Sequence, residues 1–146
     1  IDEADCALAA LPRALELGYR GISVKNCKGV FRALASRGLC EITDDAFQSA
    51  EDLTNLPVVA LQQDLATVAA LGLPHVERNG HHYFRGLEHL SQREAEWALQ
   101  AHPELYVRHQ NSARLDIRGG ELELDSLERP GYGAVGDPNL DPVAST

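Results

Sequence analysis

The chain has 146 residues, room for one ordinary domain, and its 44% hydrophobic and 24% charged residues are typical of a globular protein. No apolar run is long enough for a bilayer-spanning helix, so we expect no membrane contact. The formal net charge of −9 argues against a nucleic-acid partner, because binding phosphates requires a basic surface.

The cysteines predict an intracellular protein. Cys6, Cys27 and Cys40 are too few and too scattered for a disulfide framework, and no Cys-x-x-Cys pair is present. We therefore expect reduced thiols and a cytoplasmic location.

The first predicted elements are the end of a strand, a helix and a second strand. Ile1 precedes two acids, as at the tail of a buried strand that reaches the open end of a sheet, so we expect further sequence upstream. Apolar spacing from Leu11 predicts a helix that ends at Gly18, because glycine commonly follows a helix. The β-branched residues of Ile22–Val24 predict the second strand.

Two further helix–strand units follow, bounded by glycine and proline residues. Their elements are a helix from Val30 to about Gly38, a weak strand over Ala46–Ala50, a helix from Val58 to Leu71 with Asn55 as N-cap and Pro57 in its first turn, and a strand over residues 74–77.

The last predicted elements are a helix and a hairpin. Ser91 and Glu94 form a capping box that opens a helix reaching about Ala101. Apolar and polar residues alternate on both sides of Gly119–Gly120, which predicts two strands joined by a two-residue turn. The Pro- and Gly-rich residues after Leu127 predict a tail that is ordered only at its start.

This alternation of strands and helices predicts an α/β fold with a parallel sheet built from right-handed crossovers. A doubly wound sheet and a slice of a closed β/α-barrel both fit the pattern. In either fold, reactive groups gather at the carboxyl ends of the strands.

The predicted strand ends are unusually polar, and we expect their side chains to converge on one active site. These residues are Asp2, Glu3, Lys25, Asn26, Lys28, Glu51, Asp52, His75, Glu77, Asn79, His81 and His82.

Two of these sites carry specific chemistry. Asp2 and Glu3 offer the carboxylate oxygens that Mg²⁺ prefers, although they also fit a solvated helix start with Asp5 as its N-cap. Lys25 follows apolar strand residues, so desolvation is expected to lower its pKa towards that of a useful base. The alternative is that Lys25 forms an ion pair with an acid on the opposite side of the site. An ion pair and a role as a base are compatible.

The histidines divide into a cluster and scattered residues. His75, His81 and His82 are close enough in sequence to form a transition-metal site, but their spacing is not that of His-Glu-x-x-His. A loop that orients the substrate through hydrogen bonds is the interpretation we favour for this cluster. The scattered residues, His89, His102 and His109, are predicted to lie on the surface.

Three segments together resemble one family. "IDEAD" at residues 1–5, "GISVKNCKG" at 21–29 and "PGYG" at 130–133 resemble the mandelate racemase and muconate lactonizing group of the enolase superfamily, in order and in spacing. The resemblance implies that residues 1–110 are strands 5–8 of a β/α-barrel. Residues 111–146 would be a hairpin and tail that return to an N-terminal capping domain encoded upstream.

The resemblance also implies a site and a reaction. Asp2 would bind Mg²⁺, Lys25 would transfer the proton next to a substrate carboxylate, and Glu3 and Lys28 would be neighbours that set the local field. We count Glu3 with Asp2 as a candidate metal ligand. An enediolate would form and lead to racemisation or epimerisation, dehydration or cycloisomerisation. We add His75 as a second catalytic candidate. The residues predicted to contact the small-molecule substrate are Lys28, Glu51, Asp52, Asn79, His81 and His82.

The chain departs from the family pattern at Ala4, where serine is usual, and at Val30, where a second glycine is usual. Two alternatives therefore accompany the prediction of a lyase or isomerase. One is a non-catalytic or ligand-binding barrel, and the other is a transition-metal hydrolase that uses the histidine cluster. If these residues were all that exists, half a barrel would leave sheet edges unpaired, so the chain alone is expected to be inactive and either unstable or oligomeric.

Overall fold

The computed structural model describes residues 1–52, 58–78 and 83–130. Within these ranges the chain forms four helices and five strands, and none of the helices is long and apolar enough to cross a membrane. In chain order the elements are α1 (Ala10–Glu16), β1 (Gly21–Val24), α2 (Val30–Glu41), β2 (Phe47–Asp52), α3 (Val59–Ala70), β3 (Val76–Arg78), α4 (Gln92–Ala101), β4 (Tyr106–His109) and β5 (Ser112–Leu115).

The chain divides into two compact units, and the division falls inside α3. The first unit contains Ile1–Leu53 and Thr67–Asn79, and the second contains Thr54–Ala66 and Gly80–Thr146. The predicted division into a barrel portion, residues 1–110, and a hairpin with a tail, residues 111–146, stays a prediction.

The first unit is built on a three-stranded sheet in the order β1-β2-β3, with both pairs parallel. Val24 lies opposite Ala50, and Ala50 lies opposite Val76, so the strands advance together across the sheet. The predicted mixed α/β fold with a parallel sheet is therefore confirmed. The described strands do not close into a barrel, and the barrel stays a prediction.

Ile1 pairs with the outer edge of β1 in the manner of a parallel strand. Its amino group donates to the carbonyl of Gly21, and its own carbonyl accepts from the Ser23 amide at 2.9 Å. These two bonds flank Ile22, as in a parallel ladder. The expectation that Ile1 is strand-like and leads directly into Asp2 is confirmed.

The core of the first unit lies between the sheet and its helices. Ile22 and Val24 of β1 are buried and alternate with half-buried residues, which places both on the same face of the sheet. Ile22 packs with Leu11 of α1 and Cys40 of α2. Val24 packs in a second cluster that contains Ala33, Ala50, Val68, Leu71 and Leu73.

The second unit packs α4 and the β4–β5 hairpin around its own core. The buried apolar residues of this core are Val58, Leu61, Leu65, Leu87, Ala95, Ala98, Leu105, Tyr106, Ala113 and Leu127. The capping box predicted for α4 is confirmed, since the Ser91 hydroxyl accepts from the Glu94 amide and the Glu94 carboxylate accepts from the Ser91 amide.

The hairpin is not where the sequence predicts it. Strand β5 pairs with the preceding strand β4 in an antiparallel hairpin. The two strands are joined by a two-residue turn at Gln110–Asn111, in which Gln110 has φ 53°. The predicted turn at Gly119–Gly120 is present, with both glycines at positive φ, but it joins only the single bridge of Arg118 and Glu121. The prediction pairs the wrong strands, because alternation of apolar and polar residues identifies strands and not their partners.

Helix α2 is longer than predicted. The sequence places its end near Gly38, but the helix continues to Glu41. A glycine inside a helix costs only about 1 kcal/mol relative to alanine. The burial of Cys40, with Leu39 packed against the same cluster, favours the extra turn.

Candidate functional site

Three neighbouring segments of the first unit bring polar side chains to one edge of the sheet. Lys25 directly follows β1, and Glu51 is the next to last residue of β2. Because Val24 lies opposite Ala50, Lys25 and Glu51 are at the same level on adjacent segments. Asp2 follows Ile1, which pairs with β1 from its other side.

Lys25 is the centre of this site. Its backbone is extended, with φ −130° and ψ 123°, so its side chain points to the face opposite that of Val24. The side chain is only 1% exposed. Its Nζ lies 2.7 Å from Oδ1 and 2.9 Å from Oδ2 of Asp2 and 2.7 Å from Oε1 of Glu3, and it also contacts Oε1 of Glu51.

The electrostatics of Lys25 differ from the sequence-based expectation. Burial lowers the pKa of Lys25, but hydrogen bonds to Asp2, Glu3 and Glu51 raise it by a larger amount. The pKa of Lys25 therefore lies above its ordinary value. The predicted lowering is therefore wrong for this arrangement, because three carboxylates outweigh the desolvation. Burial also raises the pKa of Asp2, but hydrogen bonds from Lys25 and Lys28 bring it below its ordinary value.

Lys28 holds Asp2 from a second direction. It lies in a short 3-10 turn, Asn26–Lys28, whose middle residue Cys27 is exposed. The Lys28 Nζ donates to the backbone carbonyl of Asp2 at 2.7 Å and to its Oδ1 at 3.2 Å. The two lysines of "KNCK" therefore hold the same acid, and Lys28 contacts its backbone as well as its carboxylate.

Asp5 and Arg32 form a second layer that the sequence does not predict. The N-cap of α1 is Ala9, so the proposed capping role of Asp5 is wrong. The Asp5 side chain is 5% exposed instead and lies 3.9 Å from Lys28 and 3.7 Å from Arg32. Arg32 also donates to the Asp5 carbonyl at 3.0 Å. No local pattern links residues 27 positions apart, so only the folded chain identifies this contact.

The carboxylates around Lys25 form the candidate metal centre. Asp2, Glu3 and Glu51 each offer an oxygen, and these atoms lie within 4.8 Å of one another. Carboxylate oxygens are the donors that Mg²⁺ prefers, but in the structure all three acids contact the Lys25 ammonium, which is the cation at the centre of the group. The sequence predicts Asp2 and Glu3 as metal ligands, whereas it assigns Glu51 to the substrate.

The other predicted site residues do not join this group within the described part of the chain. His75 is exposed and precedes the first residue of β3, so it lies at the amino end of that strand and not at its carboxyl end. Asp52 ends β2 and is described by its backbone alone. Asn79, His81 and His82 lie outside the described residues, as do Asn55 and Pro57 of the predicted helix start.

His102, predicted to be a surface residue, is buried, and the structure corrects this prediction. The residue is 0% exposed, and its Nδ1 lies 2.7 Å from the hydroxyl of Ser126. His89 and His109 are exposed as predicted. The position of His102 at the end of α4, just before Pro103, gives no periodic apolar pattern from which its burial could be inferred.

Comparison with known proteins identifies no relative of this chain. No family model matches the chain, and searches of curated proteins and of solved structures find no match.

Proposed function

We propose that this chain is part of an enzyme that removes the proton next to a carboxylate group of a small-molecule substrate, as the resemblance to the mandelate racemase and muconate lactonizing group implies. One observation carries the proposal. The buried Lys25 ammonium contacts three carboxylates, those of Asp2, Glu3 and Glu51, at the carboxyl ends of neighbouring parallel segments.

The order of those segments supports a slice of a β/α-barrel. Ile1 lies beside β1, and β1, β2 and β3 follow in chain order. The described strands have no reversal of order, which is the feature that marks the ligand-binding switch point of a doubly wound sheet. In β/α-barrel enzymes the residues at the carboxyl ends of the strands build the active site.

Lys25 is the residue that we assign to proton transfer. Its Nζ takes the proton from the carbon next to the carboxylate when the amine is neutral, and returns a proton when it is charged. The three carboxylates beside Lys25 favour its charged form, so proton acceptance requires that their negative charge be engaged by another cation. Lys28 positions Asp2 through its backbone carbonyl and its carboxylate.

Asp2, Glu3 and Glu51 are the residues that would hold Mg²⁺, because they are the hard oxygen donors that converge at this site. When bound, the ion supplies Lewis-acid stabilisation for the negative charge of the enediolate. The fate of the enediolate, and hence the choice between isomerase and lyase, depends on the substrate.

Exchange of the substrate proton with solvent deuterium tests the role of Lys25. The complete protein to which this chain is proposed to belong is incubated in D₂O with Mg²⁺ and a panel of carboxylates that carry an α-proton, and exchange is followed by NMR. Lys25→Ala should abolish exchange, and Lys25→Arg should do the same because a guanidinium does not act as a base in proteins. The control Arg37→Ala, in an exposed i,i+4 ion pair, should exchange like the unmodified complete protein. Full exchange in Lys25→Ala would contradict the assignment.

Binding of Mn²⁺, measured by electron paramagnetic resonance as a substitute for Mg²⁺, tests the metal site separately. Asp2→Asn and Glu51→Gln should each weaken binding about tenfold or more, as expected when one of a few charged ligands is lost. Glu41→Gln, which alters only an exposed ion pair, is the control. Mn²⁺ binding without exchange of any substrate would favour the non-catalytic alternative. Binding that is insensitive to both ligand substitutions would contradict the assigned metal site.

A further inference from the structure

His102 connects α4 to a distant segment of the second unit. It is the C-cap residue of α4, and its Nδ1 lies 2.7 Å from the hydroxyl of Ser126. Ser126 is the middle residue of the 3-10 turn Asp125–Leu127, and it is itself only 6% exposed. The side chain of His102 thus fastens this turn to the end of the helix.

The second ring nitrogen of His102 is also buried. The Nε2 atom has no hydrogen-bond partner among the described residues. In a neutral imidazole one ring nitrogen is a donor and the other is an acceptor, whereas both nitrogens of the charged form are donors. Charging His102 in place would therefore bury a cationic N–H group that has no acceptor in the described part of the chain, an arrangement that folded proteins avoid.

We propose that His102 and Ser126 form a pH-sensitive latch that holds the turn Asp125–Leu127 against the end of α4 at neutral pH and releases it in mild acid. Release would let water solvate the charged ring. It would also withdraw Leu127 from the core of the second unit, where this residue is 4% exposed.

The other contacts of the turn respond to pH in a different range. The Glu104 carboxylate accepts from the Ser126 amide at 2.7 Å. Burial raises the pKa of Glu104, but hydrogen bonds from the side chain and the backbone of Ser126 and the charge of His102 bring it below its ordinary value. Glu104 therefore keeps its charge well below the pH at which histidine titrates. The Tyr106 ring lies edge-on to His102 with a centroid distance of 6.4 Å.

The sign of the effect follows from the groups around His102. Burial lowers the pKa of His102, the charge of Glu104 raises it, and the charge of Arg129 lowers it, with a net pKa below the ordinary value. The released state titrates near the ordinary pKa of about 6.5. Docking is therefore fully favoured above that pH. Between this pH and the lowered pKa of His102, the equilibrium constant for docking of the turn against α4 falls by up to about tenfold per pH unit.

Hydrogen exchange of individual amides, resolved by NMR and expressed as protection factors, tests the latch between about pH 7 and about pH 5. In the unmodified chain, the amides of Ser126 and Leu127 should lose protection as the pH falls, by up to about tenfold per pH unit below the ordinary pKa of histidine. The amide of His102, which donates to the Ala98 carbonyl of α4, should keep its protection. A parallel loss at His102 would show general unfolding and overturn the proposal.

Two variants complete the test. His102→Asn keeps a polar group that can reach the Ser126 hydroxyl but does not titrate in this range, so the protection of Leu127 should become independent of pH. An unchanged pH dependence in His102→Asn would overturn the proposal. Ser126→Ala removes the hydroxyl partner and should lower the protection of Leu127 already at neutral pH, and wild-type protection there would also overturn it.

Discussion

Three carboxylates from two segments, Asp2 and Glu3 beside β1 and Glu51 in β2, replace the water that the buried Lys25 ammonium loses. The three acids differ in their own burial. The Glu51 side chain is 15% exposed, whereas that of Glu3 is 82% exposed, although both contact the same Nζ atom. A contact that is shielded from solvent should contribute more to stability than an exposed one.

Glu51→Gln and Glu3→Gln form a matched pair that tests this difference. Glu51→Gln should lower the free energy of unfolding by about 1–3 kcal/mol, because it removes a charged partner from a buried lysine. Glu3→Gln should cost less than about 1 kcal/mol, as is usual for exposed ion pairs. Urea denaturation measures both. Equal losses would show that solvent screening does not separate the two contacts.

The sequence predicts part of this site for a physical reason. Asp2 and Lys25 follow apolar strand residues, and the carboxyl ends of parallel strands meet at one edge of a sheet, so their contact is predictable. The direction of the Lys25 pKa shift is not, because it depends on how many acids reach one nitrogen atom. The burial of His102 likewise depends on a partner 24 positions away, which no local pattern reveals.

At the scale of elements, β5 is fixed by an unusually close approach of the backbone. The Leu87 amide donates to the Ala113 carbonyl of β5 at 2.8 Å, and Gly86 next to it has φ 58°. A Cβ atom at Gly86 would overlap that carbonyl oxygen and lie 3.0 Å from the Cα of Arg114. Glycine is therefore required at this position both for its conformation and for the space beside it.

Gly86→Ala should destabilise the second unit by about 2 kcal/mol or more, because a left-handed conformation costs about 1–2 kcal/mol and the overlap with β5 adds to it. Gly119→Ala is the matched control, since Gly119 has φ 60° but no heavy atom within 4 Å of the place that a methyl group would take. The control should show the conformational cost alone. Equal losses of unfolding free energy in the two variants would contradict a steric contact with β5.

Most elements are predictable because their signals are local, and the errors concern partners and extent. The capping residues Ser91 and Glu94 predict the start of α4 correctly, since a cap is a contact between near neighbours. The pairing of β5 is mispredicted because Gly119–Gly120 is a strong turn signal, whereas the turn at Gln110–Asn111 that the chain uses is a weak one.

At the scale of the whole molecule, the net charge of −9 opposes the compact state through repulsion among like charges. Raising NaCl from about 0.02 M to about 0.2 M shortens the screening length and should relieve this repulsion. A gain of about 1 kcal/mol would raise the midpoint of thermal unfolding by roughly 2–4 °C, measured by circular dichroism. A falling midpoint would show that attractive pairs such as Lys25 with Asp2 outweigh the repulsion.

The fold class is predictable at this scale, but the closure of the sheet is not. Alternating strands and helices imply parallel pairing, and the β1-β2-β3 order agrees with it. Whether such a sheet closes depends on strands beyond those described, and no residue pattern within one strand records its distant neighbours. The barrel therefore stays a prediction, whereas the reaction assigned to it is tested by deuterium exchange in Lys25→Ala.

The exposed thiol of Cys27 makes the lysine-bearing turn accessible to chemical labelling. Cys27 stands between Lys25 and Lys28, while Cys40 is buried and its burial raises the pKa of its thiol. With the other exposed thiol replaced in Cys6→Ser, a maleimide fluorophore at neutral pH would react selectively at Cys27. A dye at this position would report the arrival of a cation or a carboxylate through its emission, whatever the structure of the substrate.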